Sequence, residues 1–121
     1  MVIKLIPKDF CICKVKDLAQ VNFQDEYCFF AKTDEELSLV CTKDCIPEDT
    51  LVKETGWKAF RIQGILDFSQ IGILSGISAR LAENSISIFA VSTYNTDYIF
   101  VKEDKFQKAI AVLKECGYTI E

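Results

Sequence analysis

Between Trp57 and Ile120 the apolar residues change their period in a set order, and that order restricts the fold more than any composition figure. Trp57 to Gln63 alternates apolar and polar residues and ends at Gly64, which predicts a strand. Asp67-Phe68-Ser69-Gln70 then reads as a helix start. Asp67 caps the Gln70 amide while Gln70 reaches back, and Leu66 staples against Ile71. Phe68, Ile71, Leu74, Ile77 (or Ser78) and Leu81 keep helical spacing up to about Glu83, with Asn84 as the expected left-handed stop. Gly72 and Gly76, one turn apart, predict a helix that packs close to a sheet or partner. Ser85 to Thr93 reads as a strand, Tyr94-Asn95-Thr96-Asp97 as a turn and Tyr98 to Val101 as the return strand. Glu103 to Cys116 is a helix with Phe106, Ala109, Ile110 and Leu113 on one face, stopped by Gly117, and Tyr118-Thr119-Ile120 is a final strand. The order βαββαβ is the ferredoxin-like plan of the α+β class, an antiparallel sheet with its helices on one face.

The first half follows the same plan with shorter helices. Val2 to Ile6 and Phe10 to Val15 read as strands, Asp17 to Val21 as a single turn, and Tyr27 to Thr33 with Leu37 to Thr42 as a hairpin around Asp34-Glu35-Glu36. Phe30-Ala31-Lys32-Thr33 matches Phe89-Ala90-Val91-Ser92-Thr93, each a strand end with a threonine before a polar turn, so a tandem of related modules is expected. The breaker Cys45-Ile46-Pro47-Glu48-Asp49-Thr50, with Gly56 after it, places a boundary near residues 46–56, giving modules 1–55 and 56–121.

Charge divides along the same line. Residues 1–55 hold 7 Lys+Arg and 11 Asp+Glu, whereas residues 56–121 hold 7 and 7, so the whole net charge of −4 belongs to the first module. An acidic balance has the wrong sign for phosphate backbones and anionic membranes. The aromatics Trp57 and Phe60 lie on opposite faces of their strand, which argues further against an RNA-stacking surface. The chain contains no histidine, which removes Ser-His and Cys-His catalysis and His-ligated metals. No acyl-phosphate-type arginine stands between Gly64 and Asp67, since the only arginines are Arg61 and Arg80. These absences point away from an enzyme and call for no cofactor.

No export signal or membrane span is visible, so a reducing cytoplasm is the expected compartment and the cysteines are expected as thiols. They occur at Cys11, Cys13, Cys28, Cys41, Cys45 and Cys116; the closest spacings are C-x-C and C-x₃-C, neither of them a zinc knuckle. The expected role is that of a small buried apolar residue, with no metal site.

The segments Trp57 to Phe68, Gly72-Ile73-Leu74 and Ile88 to Tyr98 resemble the ACT domain, in the variant shared by small bacterial stand-alone ACT proteins and the cytosolic arginine sensors of animals. Phe30 to Val40 is similar to the first module of those proteins. The resemblance implies a non-catalytic tandem ACT protein that binds a small ligand, commonly an amino acid, and often pairs with a second copy. It implies a site in two places: the strand-to-helix turn Gly64, Ile65, Leu66, Asp67, Phe68 and Ser69, and the segment Thr93, Asn95, Thr96 and Asp97. Chemistry independently favours the same places. A helix N-terminus offers free amides to a carboxylate, Gly64 lets a ligand approach the backbone, and Asp97 suits an ammonium or a basic side chain. Against this stand plainer roles: Asp67 as an N-cap, Asp97 as a turn residue, Gly72 and Gly76 as packing residues, and Trp57 as a core or interface aromatic. The rival function is a protein–protein interaction or oligomerisation module with a degenerate site.

Overall fold

The computed structural model describes residues 1–63 and 72–121. The elements are β1 (Val2–Val15), β2 (Cys28–Lys32), β3 (Leu37–Thr42), β4 (Thr50–Ile62), α1 (Ile73–Glu83), β5 (Ile88–Ser92), β6 (Asp97–Lys102), α2 (Glu103–Glu115) and β7 (Thr119–Ile120), with single 3-10 turns at Leu18–Gln20 and Lys43–Cys45. The α+β class expected from the sequence holds. The chain divides into two compact units, one of Met1–Pro7 with Lys58–Glu121 and one of Lys8–Trp57.

In the larger unit β4, β6 and β5 are successive neighbours, β5 and β6 form an antiparallel hairpin, and the start of β1 pairs in parallel with β7. Both helices bury their apolar stripes in one core. Ile77 and Leu81 of α1 meet Phe106, Ala109, Ile110 and Leu113 of α2 over Phe60, Ile62, Ile99 and Val101 of the strands. The four positions predicted for the second helix are therefore its buried face, with Val112 added at its edge. Each helix stops on the same backbone device. The Ser85 and Ile86 amides donate to the Ala82 and Leu81 carbonyls at 3.0 and 2.9 Å, and the Gly117 and Tyr118 amides to Lys114 and Leu113 at 3.0 and 3.1 Å. That pairing needs one left-handed residue. Gly117 supplies it in α2 as expected; in α1 it is Ser85 (φ 62), not Asn84, whose side-chain amide instead donates to the Arg80 carbonyl at 2.9 Å.

The two glycines of α1 also differ from expectation. Gly72 takes φ +87 and precedes the helix, because a left-handed residue has no place inside a right-handed turn. Gly76 is within the helix but exposed, and a Cβ there would meet nothing within 4 Å, so it serves no close approach. The helix start predicted at Asp67–Gln70 and its Leu66–Ile71 staple lie outside the described residues.

The smaller unit is built on the neighbours β2, β3 and β1, antiparallel throughout. Its core is Cys11, Cys13, Val15, Leu39 and Cys41, and 3-10 turns stand where the larger unit has helices. Asp17 caps the first of them by accepting the Ala19 amide at 3.0 Å, the single turn predicted. β1 is one strand where two were expected. Pro7, which has no N–H to give a ladder, falls in the gap between the β7 register at Val2–Ile3 and the β3 register at Phe10–Lys14. β4 likewise begins at Thr50, ahead of Trp57, and passes through Gly56 at φ +80, a left-handed conformation that glycine adopts without steric cost.

The two hairpins carry the same register at a constant offset. Cys28–Cys41, Phe30–Leu39 and Lys32–Leu37 in the first answer to Ile88–Val101, Ala90–Ile99 and Ser92–Asp97 in the second. This aligns Phe89 with Phe29, one position from the Phe30 match suggested by the sequence, because Thr33 and Thr93 open the two turns.

Candidate functional site

The described part of the expected site is the turn between β5 and β6. The Thr93 amide donates to the Thr96 carbonyl at 2.8 Å, and the Thr93 hydroxyl donates to that same carbonyl at 2.9 Å. The Thr93 oxygen also accepts the Thr96 amide at 3.3 Å. This self-contained threonine turn is the reason a β-branched polar residue stands at the strand end. Thr96 goes further. It is one of two buried polar residues in the described chain, and its hydroxyl donates to the Ile62 carbonyl at 2.7 Å. Thr96 therefore fastens the turn to the last residue of β4, and the next residue, Gln63, donates its amide to the Val2 carbonyl at 2.9 Å.

The hydroxyls of Thr93 and Thr96 are thus committed to the turn and its anchor. Asn95 is exposed. Asp97, opposite Ser92 at the first position of β6, is half-buried, and among the described residues its carboxylate has no hydrogen bond or ion pair. A carboxylate held at a fixed place and left without a partner can accept hydrogen bonds from an ammonium or guanidinium group. Of the ten residues expected, the structure brings Thr93, Asn95, Thr96 and Asp97 together; Gly64, Ile65, Leu66, Asp67, Phe68 and Ser69 lie outside the described residues. Trp57 is buried, in keeping with a core aromatic and not a lid.

Two neighbours of the turn were missed by sequence reasoning. The Ile62 carbonyl is a main-chain partner that no residue type could signal. Arg61 donates from Nη1 to the Tyr98 hydroxyl at 3.3 Å, lies 5.9 Å over that ring, and donates from Nε to Gln63 Oε1 at 3.3 Å. The available signal was the alternation of β4, which puts Arg61 and Gln63 on one face. A groove of about 820 Å³ along α1 and the start of β5 is lined by small neutral side chains such as Ser75, Ser78 and Ala82. It contains none of the expected residues and offers no charge to an amino acid.

With this geometry in place, comparison with known proteins is informative. A family model described as the ACT domain matches residues 52–115, more than half of the chain. The chain belongs to the ACT domain family. The human cytosolic arginine sensor for mTORC1 subunit 1 is 35% identical over 77 residues, which cover 60% of this chain and 23% of the sensor. The chain thus spans about a quarter of that relative's length. Among solved structures, a protein from Agobacterium tumefaciens superposes with a TM-score of 0.87 at 28% identity, covering 98% of this chain and 90% of its own. The ligand-free regulatory subunit of aspartate kinase from Thermus thermophilus shares the fold, with a TM-score of 0.65 at 10% identity over 95% of this chain and 96% of its own.

Proposed function

We propose that this ACT protein is a non-catalytic sensor of a small molecule bearing an ammonium group, a free amino acid, bound beside the β5–β6 turn. The observation that carries the reading is the Asp97 carboxylate, which has no partner among the described residues and lies next to a turn that Thr96 fastens to β4. Asp97 takes the ammonium or a basic side chain. The residues Gly64, Ile65, Leu66, Asp67, Phe68 and Ser69 supply main-chain amides for the ligand's carboxylate, and Thr93, Asn95 and Thr96 shape the other wall. A relative that is named as an arginine sensor supports the ligand class without fixing which amino acid this chain takes.

The rest of the reading follows from the family. The matched hairpin registers support two ACT modules in tandem, residues 1–55 and 56–121, and the chain works in the cytoplasm as a homo-oligomer. Ligand binding reports by ordering the surroundings of the turn, a shift in population and not a chemical step.

Thermal denaturation against each of the twenty amino acids tests this. A true ligand at about 100 times its Kd adds ~2.7 kcal/mol and raises the midpoint by several degrees. The absence of any shift at millimolar concentration contradicts an amino-acid ligand and leaves the interaction-module reading in its place.

A further inference from the structure

Five of the six cysteines belong to the unit of residues 8–57, and the strand registers set three of them in a row. Cys11 lies opposite Cys41 across β1 and β3, and Cys28 lies opposite Cys41 across β2 and β3. Residues directly opposed across antiparallel strands project to the same face, so the three thiols share one side of this sheet. All six cysteines are in the reduced, thiol form, and no three His, Cys, Asp or Glu side chains among the described residues are grouped to hold a metal ion. What the sheet offers is opposed pairs, and a pair of sulfurs suits a two-sulfur bond.

The two pairs are not equivalent. The Thr33 amide donates to the Glu36 carbonyl at 2.9 Å, which makes residues 33 and 36 a hydrogen-bonded pair. Such pairs recur at every second position, and Cys28–Cys41 is an odd number of steps away, so it is a non-hydrogen-bonded pair. At these positions Cα atoms approach to ~4.5 Å and side chains are closest, inside the span a disulfide bridges. Because successive carbonyl and amide groups of a strand face alternate neighbours, Cys41 makes the wider, hydrogen-bonded pair with Cys11. Access separates the pairs as well. Cys11 and Cys41 are both buried, whereas Cys28 is half-buried on β2 and reachable from solvent.

We infer that Cys28 and Cys41 form an oxidisable thiol pair, a modification site that takes hydrogen peroxide and closes as a cross-strand disulfide within the first hairpin. The Cys28 sulfur, as thiolate, attacks one peroxide oxygen; the S–O bond forms, the O–O bond breaks, and the departing hydroxide takes a proton to leave as water. The Cys41 sulfur then attacks the Cys28 sulfur. The S–S bond forms, the S–O bond breaks, and the Cys41 proton leaves with the hydroxide as a second water. Two thiols are oxidised and one peroxide is reduced to two waters. Burial, with Asp25 and Cys45 nearby, holds the Cys28 thiol above its usual value, and deeper burial raises the Cys41 thiol further, so the pair responds slowly.

The test exposes the folded, reduced full chain carrying Cys116→Ser to hydrogen peroxide, quenches it in acid, alkylates the remaining thiols and digests with trypsin. The substitution removes the exposed cysteine as a source of links between molecules. Cleavage after lysine puts Cys28 in fragment 17–32, Cys41 in 33–43, Cys45 in 44–53 and the pair Cys11/Cys13 in 9–14. The expected result is fragment 17–32 joined to 33–43, two hydrogens lighter than their sum and separated by reductant, with 9–14 and 44–53 fully alkylated. Cys28→Ser, at a half-exposed position, removes the link while leaving the melting temperature nearly unchanged. A link to 44–53 or within 9–14, or full alkylation of Cys28 and Cys41 after the exposure, overturns the assignment.

Discussion

The two hairpins share a register but are fastened at opposite ends. Each contains one buried threonine. In the first hairpin it is Thr42, at the end of β3 away from the turn, and its hydroxyl donates to Asp25 Oδ2 at 2.8 Å. In the second it is Thr96, in the turn itself, tied to the Ile62 carbonyl at 2.7 Å. The position matching Thr96 is Glu36, which is exposed, and the position matching Asp97 is Leu37. One turn is thus anchored and presents a carboxylate; the other keeps its threonine turn, with the Thr33 hydroxyl accepting the Glu35 and Glu36 amides, but has neither anchor nor charge at the strand start. A common backbone unit therefore carries two different turns, distinguished at two side-chain positions. The cores differ to match, with two helices over aliphatic and aromatic residues in one unit and cysteines with 3-10 turns in the other.

The largest way to break this contrast is through the helical core. Leu113→Ala removes a fully buried side chain that joins α2 to the strands and costs about 2–5 kcal/mol in chemical denaturation. Next is the anchor. Thr96→Val keeps the shape but leaves the Ile62 carbonyl without its donor, a cost of ~1–3 kcal/mol, whereas Glu36→Ala at the matching position stays within about 0.5 kcal/mol. Equal costs at the two positions would abolish the distinction between the turns. A smaller effect of opposite sign is expected on α1. Gly76→Ala enters open space in an exposed helix and stabilises by about 0.5–1 kcal/mol, while Gly72→Ala forces a left-handed side chain and destabilises by about 1–2 kcal/mol. Hydrogen exchange should place both changes in the helical unit and leave the β2–β3 amides as they were.

The smallest effect concerns the first anchor. The Thr42 hydroxyl, with the Glu26 amide, Cys45 and Lys8 in lesser roles, holds the Asp25 carboxyl below its ordinary 3.8. A carboxyl lowered in the folded state contributes stability that is fully present above the ordinary value and lost as pH falls through the lowered one. Thr42→Val should therefore raise the Asp25 midpoint in a carboxyl NMR titration and narrow the acid range over which the fold persists. An unmoved midpoint would show that Thr42 is not the anchor.

How much of this was legible in the sequence depends on range. The buried face of α2, the Gly117 stop, the single turn after Asp17 and both threonine turns rest on residues within a few positions of one another, and local pattern revealed them. Ser85 was hidden because a serine rarely takes the left-handed place, and Asn84 beside it is the commoner choice. The continuity of β1 through Pro7 depends on where two distant registers stop, and the bond from Thr96 to Ile62 spans 34 residues to a main-chain atom. The opposition of Cys28 and Cys41 is likewise a property of register, invisible while the cysteines were judged by spacing alone. For the candidate site, the sequence singled out Asp97 and its turn, but not that Thr93 and Thr96 are already occupied while Asp97 has no partner among the described residues.

On the proposed function, the anchored turn, and not its counterpart, receives the ligand through Asp97. Backbone amide NMR during titration with the amino acid that gives the largest thermal shift tests it most directly. The account predicts saturable shifts at residues 93–98, little change at residues 33–38, and an affinity at least tenfold weaker in Asp97→Ala, whose melting temperature without ligand stays near that of the parent. Shifts centred on residues 33–38, or an Asp97→Ala protein that binds as tightly as the parent, would contradict it.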